Sequence, residues 1–285
     1  MEGLELITFL QNTLPQAISI GSAVTGSLIT ALFLRHNTST QEFEKIKAGH
    51  FKEAIEDLLN SGKMTYTEYY KTNNFLNIAS KADQYYSENR TISKAEGSYD
   101  FDWFIRFYES AGNISNEQMQ DLWAKILSGE LVKPGTYSIH LIEILKNMNK
   151  KDAELFELIC SKSLCYGNDR FIVNDEIYQS MNRIRYSDLM RIQELGLINA
   201  TPLIMYKIRI CSETEVLFSN ENYEIIVSSI NKSIDYLEFE QFPFTTVGRE
   251  LSSILIKTTP DICLIAFEQA ISRKKKVNIV LNHKN

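Results

Sequence analysis

No formal charge occurs between Glu5 and Arg35, and within that window, in the stretch LPQAISIGSAVTGSLITALFLRH (Leu14–His36), Ala17–Leu34 holds the densest apolar set. A run of this kind narrows the folding problem at once, because its side chains must be covered by protein or by lipid. Ala17–Leu34 is long enough to cross a hydrocarbon layer of roughly 30 Å as a tilted helix of about 20 residues. Serines, threonines and glycines dilute it, yet they are not scattered. At helical spacing Ser19, Ser22, Ala23, Gly26, Ser27 and Thr30 gather on one side, with Ala17, Ile20, Val24, Leu28, Ala31 and Leu32 opposite. Small residues four apart permit close helix packing in a bilayer, and a hydroxyl face can border water inside an oligomer. A membrane span is the leading reading and a buried N-terminal helix the alternative. A signal peptide fits poorly, because Glu2 and Glu5 stand where Lys or Arg is expected. If the segment spans, Arg35, Lys45 and Lys47 keep the C-terminal bulk in the cytosol.

The remainder reads as helices with clear stops. Ser39 with Glu42, Thr65 with Glu68, and Ser115 with Gln118 have capping-box spacing, while Gly62 and Gly129 stand as C-terminal stops. Asp100 and Asp102 in YDFDW read as caps of the Trp103 helix rather than as paired acids. Residues 38 to about 162 therefore suggest an all-α bundle. Beyond YGNDRF the pattern changes to RFIV, two short helices ending at Gly196, and the β-rich runs LIMYKIRIC, TEVLFS and YEIIVSS. A helix near Thr246, another from Pro260, and the strand candidate KVNIVL complete the chain. The expected fold is mainly α: a membrane-type helix over 1–37, a helical oligomerisation domain over 38–164, and a winged-helix-like α+β sensor domain over 165–285. A length of 285 residues accommodates two modest domains beside the first segment.

Chemistry is sparse. The four cysteines lie in apolar runs without a CxxC pair, and the four histidines have no zinc-type spacing. There is no phosphate-binding glycine loop, nucleophile elbow or carboxylate pair distinct from background, so no catalytic residue, metal or cofactor is expected. A net charge of −6 argues against a general nucleic-acid coat, but local basic clusters remain. Arg183, Arg185 and Arg191 surround YSDLMRIQELG, Lys207 and Arg209 follow in the next strand, and Arg273–Lys276 lie near the end. Arginine forks match phosphate oxygens, so the first five residues are candidate phosphate ligands. A solvated basic face explains the same pattern.

The stretch Phe101–Phe156, with ISNEQMQDLWAKIL, a GE…PGTYS turn and KDAELF, resembles the central signature of a bacterial domain-of-unknown-function family. RIQELGLI and FTTVGRELSSIL are similar to its C-terminal half, so the likeness covers roughly 100–257. The resemblance implies a bacterial accessory protein similar to membrane-linked abortive-infection proteins of phage-defence loci, and it supplies no catalytic residues. Together these readings lead to an expected single-pass inner-membrane protein. It would be an antiviral effector forming an oligomeric, ligand-gated pore or ion channel. Its partners would be copies of itself, the lipid bilayer, a nucleotide or short nucleic acid, and an inhibitory or activating protein. The rival expectation is a soluble winged-helix regulator that binds nucleic acid.

Overall fold

The computed structural model describes residues 56, 59–62, 65–88, 100–201, 204–211, 215–230, 235–255, 261–273 and 277–284. The chain divides into two compact units, Met1–Gly135 and Thr136–Asn285.

Three helices of the first unit have described bounds. In α1 (Tyr66–Glu88) the Thr65 hydroxyl accepts from the Glu68 amide, and the Glu68 carboxylate accepts from the Thr65 amide at 2.9 Å. This reciprocal cap satisfies two amides that a helix start leaves unpaired. Helix α2 (Phe101–Ala111) starts at Asp100, whose carboxylate accepts from the amides of Asp102 and Trp103. In α3 (Glu117–Val132) the cap is Asn116, one residue beyond the expected Ser115, and it accepts from Met119 N. Gly129 does not end this helix. Burial of Glu130 and Leu131 carries it to Val132, and the left-handed turn comes at Gly135, with φ 78°. Phe107 stacks on Trp103 and meets Trp123, each at 5.1 Å, which ties α2 to α3.

The second unit begins with α4 (Ile139–Asn147) and α5 (Lys150–Cys160), then β1 (Leu164–Tyr166) and β2 (Asp169–Val173). Helices α6 (Glu176–Met181) and α7 (Tyr186–Glu194) follow. Four strands come next: β3 (Met205–Ile210), β4 (Val216–Ser219), β5 (Tyr223–Ser229) and β6 (Asp235–Pro243). Helices α8 (Thr246–Leu255) and α9 (Asp261–Ser272) and strand β7 (Val277–His283) complete it. All seven strands form one antiparallel sheet in the order β3-β6-β2-β1-β4-β5-β7. Phe171, Phe218 and Phe239 meet on one face, where Phe218 packs on Phe267 of α9 at 5.2 Å. On the other face Phe242 and Phe244 are buried, and Phe156 of α5 meets Phe244 at 5.5 Å.

This sheet overturns the mainly α, winged-helix-like expectation. The strand after α7 is not followed directly by a small wing. Strands β4 and β5 intervene, and β6 returns between β3 and β2. Strands β1 and β6 also go beyond the runs expected from sequence. The sheet therefore spans the whole unit instead of decorating a helical one. The membrane expectation is corrected as well. Among the described residues no helix is long and apolar enough to cross a membrane, which overturns the single-pass inner-membrane reading. The proposed pore face, Ser19, Ser22, Ala23, Gly26, Ser27 and Thr30, lies outside the described residues.

Candidate basic site around α7

Asp175 caps α6 by accepting from the amides of Ile177 and Tyr178, and its carboxylate also receives Arg273 Nη2. Tyr178 is fully buried, and its hydroxyl donates to the Lys162 carbonyl at 2.6 Å, with Cys263 Sγ 2.8 Å away. Lys162 Nζ donates to the Asn182 carbonyl, which pins the start of the connection to α7. The connection runs from Asn182 to Arg185, and Arg183 holds the left-handed conformation there, with φ 53°. Such a turn reverses the chain in few residues but is disfavoured for a side chain with a Cβ.

Three of the five candidate phosphate ligands already hold carboxylates. Arg185 Nε and Nη2 donate to Asp188 at 3.0 and 2.8 Å, and Asp188 also accepts from the Arg185 amide. Arg191 makes a two-pronged contact with Asp152 of α5 at 2.8 and 2.9 Å and reaches Glu194 at 3.4 Å. Asp152 is buried and belongs to the Asn149 capping box, so this fork ties α7 to α5. The Arg191 guanidinium holds the Asp152 carboxyl below its ordinary value, and the carboxylate in turn raises the arginine. Lys207 pairs with Glu238 across β3 and β6 at 2.9 Å and lies over the Tyr236 ring. Arg183 and Arg209 are exposed and form no ion pair among the described residues.

The site thus contains charge of both signs. Arg185 remains usable, because its side chain is 78% exposed and Asp188 leaves the Nη1 donors open. Beside it stand Tyr186, 56% exposed, and Ser187, also exposed, in the first turn of α7. Neither residue belongs to a motif in the sequence, whereas the spacing of Asp188, three residues after Arg185, is the signal of a pair. The Asp152–Arg191 contact had no such signal, because 39 residues separate the partners.

Among the described residues no cluster of three His, Cys, Asp or Glu side chains has metal-binding proximity. Burial pushes the Cys160 thiol well up and the Cys263 thiol to about 12, so neither supplies a thiolate near neutral pH. None of the four cysteines is in a disulfide.

Comparison with known proteins supplies a family without an activity. No curated protein and no solved structure matches the chain. The family description names neither defence nor a channel, and the expected abortive-infection, ligand-gated antiviral ion channel is withdrawn together with the membrane location. The family model matches residues 61–262, from before α1 into the start of α9. By that match the chain belongs to DUF2806, a family of proteins of unknown function.

Proposed function

We propose that the chain is a non-enzymatic regulator whose C-terminal unit contacts a nucleic-acid duplex through the first turn of α7. The observation that carries this reading is the pair α6 and α7, joined by the short connection Asn182–Arg185, with Arg183, Arg185, Tyr186 and Ser187 exposed around the second helix's start. A second helix placed after a tight turn is an arrangement that presents its N-terminal residues to base edges and phosphates. Arg209 of β3 supplies a further exposed cation. The carboxylates Asp188, Glu194 and Glu238 weaken attraction to any polyanion, so affinity rests on few phosphate contacts and its salt slope is shallow.

The test is fluorescence anisotropy of the full chain with labelled DNA and RNA duplexes over a salt series. Binding is expected to weaken with salt by about one logarithmic unit per tenfold for each phosphate contact. Arg183→Gly is the informative variant, because glycine accepts the left-handed turn while the charge is lost. Weaker binding with an unchanged circular dichroism spectrum is expected. Absence of binding at low salt, or full affinity in Arg183→Gly combined with Tyr186→Ala, overturns the reading.

A further inference from the structure

The two edges of the seven-stranded sheet are built differently. Edge strand β3 carries Lys207 and Arg209 on its exposed face, the kind of charge that keeps a sheet edge from pairing with another chain. Edge strand β7, VNIVLNH, has no formal charge and no proline. It pairs with β5 along all seven residues, and no described strand lies on its other side. Val280 and Leu281 are each 44% exposed. An uncharged, full-length edge of this kind is a template for a further strand.

The sequence of β7 is chemically symmetric about Val280. Antiparallel pairing with a second copy on a twofold axis through Val280 sets Val280 against itself and Ile279 against Leu281. The same register sets Asn278 against Asn282 and Val277 against His283. Every apolar residue inside the ends then meets an apolar one, each asparagine meets an amide partner, and no formal charges oppose each other between Val277 and His283. Self-complementarity of this sort is what an isologous interface requires. The flanking surface fits the same partner. On one face Leu217, Ile226 and Val280 are in register across β4, β5 and β7, with Leu217 48% exposed, so pairing would continue this apolar row into the second copy. On the other face Phe218, Ile225 and Leu281 are in register, and Phe218 meets Phe267 of α9. Helix α9 packs against β7 and leaves Ile262 and Ile265 exposed.

We propose that β7 is a homodimerisation edge that joins two copies of this chain through antiparallel β7–β7 pairing centred on Val280. Seven residues give a contact about 24 Å long. That edge alone falls short of the roughly 800 Å² per partner of a stable interface, so the dimer is reversible. Arg273 and Lys274–Lys276 precede the strand and Lys284 follows it, so the overlap brings like charges together at its ends. Salt therefore strengthens the dimer, which is the opposite of its effect on nucleic-acid binding.

Sedimentation velocity on the full chain tests this. A concentration-dependent monomer–dimer equilibrium that tightens with salt is expected, with Val280→Lys weakening it about tenfold or more by opposing two lysines. Disulfide trapping guards against misfolding of that variant. Val280→Cys is expected to cross-link to its own copy on oxidation with diamide, and Asn278→Cys alone is expected not to. A chain that stays monomeric at all concentrations, a dimer indifferent to Val280→Lys, or equal cross-linking at both positions overturns the proposal.

Discussion

Asp152 shows how one residue can serve two ends of a fold. Its carboxylate accepts from Asn149 in the α5 cap and from both prongs of Arg191 on α7. The arginine hydrogen bond lowers its pKa in the folded state, so the unfolded chain binds the proton more readily. The resulting stability is present above the unfolded value of about 3.9 and is lost as pH falls through the depressed folded value. Asp152→Asn is expected to lower the melting temperature at neutral pH and to flatten the loss of stability on acidification below about pH 4. Melting curves over a pH series check this, and an unchanged acid limb contradicts it. Half of this arrangement was readable in sequence. Asn149 and Asp152 have capping spacing, whereas Arg191 finds Asp152 only once α7 lies beside α5.

At the level of elements, close approach matters as much as propensity. Helix α8 starts at Thr246, as its sequence predicts, but where it sits is decided by Gly248. A Cβ at this position would fall 1.9 Å from the Leu197 carbonyl oxygen. Thr245 completes the junction by donating its hydroxyl to the Gly196 carbonyl at 2.7 Å. Gly248→Ala must push α8 away from that loop, with an expected cost of about 3 kcal/mol, the upper part of the overpacking range. Urea denaturation measures it, and a change below about 0.5 kcal/mol, the usual size of a neutral surface substitution, rejects the account. Strand β6 teaches a related lesson. Tyr236–Phe239 alternates, with Leu237 and Phe239 buried and Tyr236 and Glu238 exposed, before Gln241 and Phe242 are buried in succession. Its period-two signal was present, but its acids masked it from a search for continuous apolar runs.

For the molecule as a whole, sheet order sets the difficulty of folding. Ile172 pairs with Phe242 and Ile226 with Val280, so the sheet closes long loops before it gains its core. The described helices of the first unit contain both tryptophans, Trp103 and Trp123. In stopped-flow refolding, tryptophan fluorescence is expected to settle before the sheet signal in circular dichroism, which belongs on the millisecond-to-second scale. Coincident phases would contradict this. The sequence by itself determined where several of the described helices begin, because caps such as Thr65–Glu68 and Asp100 act within a few residues. It also determined that Arg183, Arg185, Arg191, Lys207 and Arg209 are the basic candidates of the second half. Only the tertiary structure decided that the unit is one seven-stranded sheet, that Arg191 and Lys207 are engaged by Asp152 and Glu238, and that β7 is an uncharged edge. Capping is local, whereas strand order, charge pairing and edge exposure depend on which distant segments come together.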